Sequence, residues 1–281
     1  MNFSLYNALV GPHINWIRRT TLPLCGEVHG IEDQFGTGVL LAIGQSIFML
    51  TARHVAERTT VKYLDIYIGT PNADRHVGLK GNFLLSTDSE SFGDGDLDPF
   101  DVAIVRLAPE FAEMVLTYAN PVTLDKLELE DDRLAPGRYL LYGYPCAFTE
   151  RDDELKEVSS GGIAYITNTY EGDRAPTRFD CKKHLVINYR FEGHSDQSGN
   201  PSIIPAFGMS GSGVWRLMDK ATPIERIDGR RIKLAAIAHE WDSSAGVIRA
   251  TRINYYIEII YRRFPDLDSE FRRYFPRTPP R

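Results

Sequence analysis

Three short segments carry residue types whose chemistry fits together. The first, Met49-Leu50-Thr51-Ala52-Arg53-His54-Val55, runs from an apolar stretch through small residues to a histidine. The second, Phe100-Asp101-Val102-Ala103-Ile104-Val105-Arg106-Leu107, sets an aspartate at the head of an apolar run. The third, Phe207-Gly208-Met209-Ser210-Gly211-Ser212-Gly213-Val214-Trp215, holds a serine in a glycine-rich turn ahead of a strand-like stretch. A serine hydroxyl is a weak nucleophile until an imidazole takes its proton. The imidazole in turn needs a carboxylate that holds one tautomer and steadies the imidazolium. The oxyanion formed on attack needs backbone N–H groups aimed in advance, and glycines beside the serine let the chain turn those groups inward without Cβ clashes. Ser210 is thus the candidate nucleophile, His54 the general base, Asp101 its orienting group, and Gly208 and Ser210 the oxyanion donors. Taken singly, each fits an ordinary role: a partly buried histidine, a strand-start aspartate, a turn serine. Their company and order point to acyl transfer.

These residues need a framework that brings positions 54, 101 and 210 together. Short apolar runs at 39–43, 47–50, 63–68, 102–107, 139–142, 163–166, 185–189, 214–217, 234–237 and 247–248 read as strands. Turn signals separate many of them, among them Gly36-Thr37-Gly38, Gly44-Gln45, Gly161-Gly162 and Asp228-Gly229. Regular strand–helix alternation is absent, so the pattern predicts an all-β fold rather than a doubly wound one. Ile253, Tyr256, Ile257 and Ile260 predict an amphipathic helix over Ile253–Arg263. A short helix is expected within 3–19, interrupted at Gly11-Pro12, and the tail after Phe264 reads as a solvated extension on the surface. Stretches 88–99 and 192–201 read as polar loops, and the acidic stretch 123–136 as a connector between two β units. The expected organisation is an N-terminal extension at 1–23, a first β unit at 24–126, a second at 127–252, and a C-terminal helix and tail at 253–281.

Composition narrows the function classes. With 281 residues, 43% of them hydrophobic and 25% charged, the chain can bury a full core. A net charge of −6 argues against general nucleic-acid binding, which depends on Lys and Arg neutralising phosphates. Cys25, Cys146 and Cys181, an odd set with no short spacing, make a poor disulfide framework and a poor zinc site, with at most one bridge expected. No signal-peptide pattern and no apolar run near the ~20 residues of a membrane span are present, so a soluble protein of a bacterial cytoplasm, with no membrane partner, is expected.

In this company the segments 50–54, 101–105 and 208–213 resemble those of trypsin-like, chymotrypsin-fold serine peptidases, and the serine segment looks most like the bacterial intracellular branch. The order His54, Asp101, Ser210 is the chymotrypsin-like one; subtilisin-like and α/β-hydrolase enzymes use other orders, and Ser212 breaks the Gly-x-Ser-x-Gly elbow of the latter. The resemblance spans about residues 24–263. It implies two perpendicular six-stranded β-barrels with a C-terminal helix, His54 and Asp101 on the first barrel and Ser210 on the second. It further implies a serine endopeptidase acting on protein or peptide through an acyl-enzyme, with no cofactor and no metal. Stretch 234–238 looks like the strand that pairs with substrate backbone, and Ile204, His239, Glu240, Trp241 and Gly246 fall at substrate-binding positions.

The chain also departs from the family. No Ile-Val-Gly-Gly-type activation site precedes the first unit, which leaves control by a regulatory protein partner open. His239 stands where the family has a serine supporting the aspartate, and it is expected to hydrogen-bond Asp101. Ile204 near the pocket base and Trp241 on its wall predict an apolar or small P1 residue rather than Arg or Lys. Two other readings remain: a catalytically silent binding module of the same fold, and an effector held inactive until its partner docks.

Overall fold

The computed structural model describes residues 15–28, 31–60, 67–68, 77–78, 81–86, 100–129, 136–152, 157–172, 180, 182–190, 192–195, 201–223 and 226–275. A helix at 15–20 (α1) leads into a first sheet built from β1 (Thr21–Val28), β2 (Ile31–Ile43), β3 (Ser46–Ala52), β4 (Tyr67–Ile68), β5 (Val77–Gly78), β6 (Gly81–Leu85), β7 (Val102–Leu107) and β8 (Val122–Thr123). Its order is β5-β4-β1-β2-β3-β7-β6, with β8 pairing parallel to β2. Helix α2 (Arg53–Thr60) follows β3, and α3 (Pro109–Leu116) follows β7.

The second sheet starts with β9 (Gly137–Gly143). After a hairpin of β10 (Thr149–Asp152) and β11 (Glu157–Ser160) it continues with β12 (Ile163–Asn168) and β13 (His184–Asn188). A second small hairpin, β14 (Glu192–Ser195) and β15 (Pro201–Ile203), precedes β16 (Gly213–Asp219), β17 (Lys233–Asp242) and β18 (Val247–Arg252). The order β12-β9-β16-β17-β18-β13 closes on itself, because Thr169 bridges Ile187 and the Tyr170 N–H donates to the Val186 carbonyl at 2.9 Å. The architecture is all-β, as the strand pattern predicts: two curled, mainly antiparallel sheets with helices between strands and at both ends.

The apolar runs are continuous because their strands are buried on both faces. Successive side chains alternate, so one set fills each sheet's own interior and the other meets the partner sheet. In β2, Val39, Leu41 and Ile43 join a core shared with Leu140, Trp215 and Leu234 of the second sheet. Leu40 instead packs with Met49 and Val105 inside the first. In β9, Leu140 and Tyr142 face the shared core, while Tyr139 and Leu141 pack with Val214 and Ile248.

Helix α4 (Ile253–Arg263) buries Ile253, Tyr256, Ile257 and Ile260 in that shared core, as the spacing predicts. The chain beyond it differs from the solvated tail expected. Phe264, Leu267 and Phe271 recur on one face, and α5 (Asp268–Tyr274) docks through Phe271, which is 1% exposed. Phe264 packs edge-on against Phe48 of β3, and Arg106 of β7 pairs with Asp266 at 2.6 Å.

Three other expectations change. Gly36-Thr37-Gly38 is no turn but the middle of β2. Its glycines allow close packing, since a Cβ at Gly38 would come within 2.8 Å of the Met49 sulfur and one at Gly36 would strike Val55. The stretch 192–201 contributes paired strands rather than loop alone, Glu192 facing Ile203 and Ser195 facing Pro201. The connector is not free-standing either, because Leu127 bridges Leu234 and the Glu128 N–H donates to the Leu234 carbonyl at 2.9 Å. The expectations for 3–14, 63–66, 88–99, Cys181 and 276–281 fall outside the described residues.

Candidate active site

The register of one strand pair brings His54 to Asp101. β3 and β7 run antiparallel with Thr51 opposite Ala103 and Ala52 opposite Val102. One step further the ladder ends, with the Arg53 N–H donating to the Asp101 carbonyl at 2.9 Å. There β3 turns into α2 and β7 has not yet begun, so both side chains leave the sheet at the same end. Asp101 adopts φ +47°, a left-handed conformation that Asp and Asn tolerate better than most residues.

The carboxylate is held at both oxygens. Oδ1 accepts the His54 backbone N–H at 2.9 Å, and Oδ2 lies 2.6 Å from His54 Nδ1. Burial by itself would raise the Asp101 pKa. The hydrogen bonds from the His54 ring and backbone N–H, together with the electrostatic pull of the His54 and His239 imidazoles beside it, outweigh it and hold the carboxyl below its ordinary value. An ionised carboxylate only accepts. His54 Nδ1 therefore carries a proton toward Asp101, and Nε2 is the ring nitrogen the carboxylate does not engage.

Ser210 lies in the turn before β16 and is half-buried. The carbonyls around it are engaged one after another. Phe207 O accepts from Cys146 N–H at 2.8 Å, Gly208 O from the Thr37 hydroxyl at 2.9 Å, Met209 O from Ser212 N–H at 3.0 Å, and Ser210 O from Thr37 N–H at 2.8 Å. Met209 N–H donates to Ala206 O and Gly211 N–H to Ala238 O. The N–H groups of Gly208 and Ser210 have no acceptor among the described residues. These two N–H groups stay open while all four carbonyls from Phe207 to Ser210 are engaged, and backbone donors of this kind are what an oxyanion would need. Gly208 at φ +87° and Gly211 at φ +91° use a backbone region that side chains rarely enter.

Ser210 Oγ donates to the His239 carbonyl at 3.4 Å, and among the described residues it has no hydrogen bond to His54. His239 is the extra residue of a β-bulge: the β17–β18 register shifts between Ala238 and Glu240. Such bulges re-aim a side chain, and this one turns the imidazole inward, 7% exposed, with Nδ1 3.8 Å from Asp101 Oδ2. The expected His239–Asp101 hydrogen bond is therefore not made; the ring lies beside the carboxylate at ion-pair range. Burial lowers the His239 pKa to about 3, against the pull of Asp101 and with help from His184, Arg249 and His54, so the ring is neutral.

The remaining candidate positions divide. Trp241 stands edge-on to Phe207 at 5.8 Å and to Tyr189 at 6.3 Å, and Phe207 is 70% exposed beside Gly208. Glu240 faces outward and pairs with Arg249 across to β18. Gly246 closes the β17–β18 turn at φ +64°, its carbonyl accepting from Tyr189 N–H at 2.7 Å, and Ile204 is half-buried ahead of the serine loop.

Sequence reasoning passed over Gln34, Thr37, Thr51 and Cys146. Buried Gln34 donates to the Tyr144 carbonyl and accepts from Thr149 at 2.8 Å, and its backbone carbonyl takes the Cys146 thiol at 3.1 Å. A threonine between two glycines in an apolar run was the available signal, and it reads equally as a turn.

No protein-family model and no curated protein sequence matches the chain. Among solved structures, a crystal structure of the Rv3671c protease in its inactive form is similar to it, with 11% sequence identity and a TM-score of 0.48 over 91% of this chain and 94% of that one.

Proposed function

We propose that the protein is a serine endopeptidase that cleaves peptide bonds through Ser210, His54 and Asp101. The observation that carries the reading is the His54 Nδ1–Asp101 Oδ2 contact of 2.6 Å, beside a serine loop whose Gly208 and Ser210 N–H groups are open. His54 Nε2 takes the Ser210 proton as Oγ attacks the scissile carbonyl. The Gly208 and Ser210 N–H groups receive the oxyanion of the tetrahedral intermediate. His54 then passes its proton to the leaving amine and an acyl-serine remains. Water enters by the reverse sequence, with His54 again the base, and the acid product leaves. Asp101 stays ionised throughout and holds the His54 tautomer. Protein groups suffice for every step.

Past Gly213, its last partner in the β17 ladder from β16, β17 continues through Glu240–Asp242 paired to β18 alone. Its other edge is the proposed site for extended substrate backbone, with Ile204, His239, Glu240, Trp241 and Gly246 around it. The aromatic wall of Trp241, Phe207 and Tyr189 supports an apolar P1 preference. Action inside the cell under a protein partner belongs to the same proposal. Its support is the resting hydrogen bond from Ser210 to the His239 carbonyl, which substrate or partner binding would exchange for one to His54. That bond also favours the second reading, a silent module that binds peptide without turnover.

Labelling of the purified protein with a fluorophosphonate, read by mass, separates the two. A single adduct lost in Ser210→Ala supports the hydrolase; no adduct with or without unfolded protein substrate overturns it.

A further inference from the structure

We infer that Thr37, on the sheet that carries His54, is a positioning residue that sets the oxyanion loop through its side-chain hydroxyl; the inference rests on the reading above. Thr37 is fully buried in mid-β2 and touches no reacting atom. Its Oγ1 donates to the Gly208 carbonyl at 2.9 Å and accepts the Tyr144 N–H at 3.1 Å. Its N–H donates to the Ser210 carbonyl at 2.8 Å. One residue thus holds the carbonyls of both residues whose N–H groups are open.

The consequence follows from peptide planarity. The 208–209 peptide is pinned at both ends, by Thr37 on the Gly208 carbonyl and by Ala206 on the Met209 N–H. The 210–211 peptide is pinned likewise, by Thr37 and by Ala238. The open Gly208 and Ser210 N–H groups belong to the adjoining 207–208 and 209–210 peptides, whose own carbonyls accept from Cys146 and Ser212, so the planes pinned by Thr37 act on them through the Cα hinges they share. Without the hydroxyl, the Gly208 carbonyl and Tyr144 N–H lose a buried partner, the 208–209 peptide keeps only its Ala206 contact, and any turn of that plane about the Gly208 and Met209 Cα atoms displaces the adjoining 207–208 and 209–210 amides. Gly208 at φ +87° has no Cβ to resist that turn.

Thr37 also links this loop to the base. Its carbonyl accepts from the Thr51 hydroxyl at 2.7 Å, and Thr51 stands three residues before His54 with its own carbonyl accepting from the Tyr256 hydroxyl at 2.9 Å. The serine loop of the second sheet and the histidine strand of the first are therefore set by one buried chain of hydroxyls, which tertiary packing on α4 keeps in place.

The test compares wild type, Thr37→Val and Thr37→Ser in the full chain. Valine keeps the shape and removes the hydroxyl; serine keeps the hydroxyl. Fluorophosphonate labelling of Ser210 is read as kinact and KI separately. In Thr37→Val, kinact should fall on the order of 10- to 100-fold with KI little changed, because oxyanion stabilisation is a transition-state effect. Thr37→Ser should recover most of that rate. In ¹⁵N-labelled protein, the Gly208 and Ser210 amide signals should move or broaden in Thr37→Val and stay near wild type in Thr37→Ser, while Gly44 is unaffected in both. Equal kinact in wild type and Thr37→Val, or amide signals at 208 and 210 unmoved by valine, would overturn the inference. If wild type does not label, the hydrolase reading fails, and the amide signals alone decide the role of Thr37. If Thr37→Val does not fold, Thr37→Ala takes its place under the same two readouts.

Discussion

Replacing Asp101 by Asn removes a charge while leaving the backbone at φ +47° one that Asn also tolerates. The structure dictates how the amide must lie. The His54 backbone N–H needs an acceptor at the Oδ1 position, so the amide oxygen takes that place and the NH2 faces His54 Nδ1 at the Oδ2 position. Nδ1 must then accept, the proton moves to Nε2, and the ring can no longer take the Ser210 proton. Flipping the amide restores the tautomer but sets two donors against each other, at about 1–3 kcal/mol. The imidazolium also loses its counter-charge, worth about 2–4 kcal/mol at this separation once partial exposure is discounted. Together these slow the reaction on the order of 10³-fold. The assay is the second-order rate of fluorophosphonate labelling for wild type and Asp101→Asn at pH 7.5, with circular dichroism and melting to show that the fold is kept. A folded Asp101→Asn labelling within tenfold of wild type would refute the reasoning, because neither tautomer control nor charge would then be acting through Asp101.

Two further outcomes are expected from named burials. His239 is neutral in the folded protein, its pKa lowered to about 3 by burial, and its unfolded value is the ordinary one near 6.5. Below pH 6.5 the unfolded chain binds the extra proton, so this residue's presence destabilises the fold increasingly as pH falls towards 3, by about 2 kcal/mol at pH 5. His239→Leu should therefore lose less melting temperature than wild type between pH 7 and 5, and parallel curves for the two would sink the assignment of a neutral buried ring. His184, Arg249, Asp101 and His54 face the same ring and remain in both proteins. Phe271→Ala should cost about 3–5 kcal/mol in urea unfolding, since the ring is 1% exposed in the core that α4 and α5 share. A loss below 1 kcal/mol would mean that α5 does not dock as described.

The departures from expectation share a cause. Gly36-Thr37-Gly38 reads as a turn because two glycines around a polar residue carry a turn's composition. They pair with β1 inside a strand, and they are glycines because Val55 and Met49 come too close for a Cβ. The tail after Phe264 is rich in Arg and Pro, which reads as solvated. Three apolar residues on one face are enough to dock it, but only where the shared core offers a surface. His239 was expected to bond Asp101 by analogy of position. A one-residue bulge in β17 carries its ring to the carboxylate's side yet leaves 3.8 Å between them.

Residue type and local order were enough for the all-β class and the α4 boundaries, which depend on side chains within a few positions of one another, while His54, Asp101 and Ser210 became candidates only through their order along the chain. Apolar runs make strands, spacing makes an amphipathic helix, and a serine among glycines makes a turn. Tertiary structure alone decided which strand register carries Asp101 to His54, which carbonyls are tied down so that Gly208 and Ser210 keep open N–H groups, and that Thr37 holds both. The deciding relations join residues 47 positions apart, at Asp101 and His54, and 171 apart, at Thr37 and Gly208, through hydrogen bonds. A hydrogen bond constrains only that a donor meet an acceptor, and nearly every residue in the chain can supply one. The pairing is therefore invisible until packing has chosen the partners.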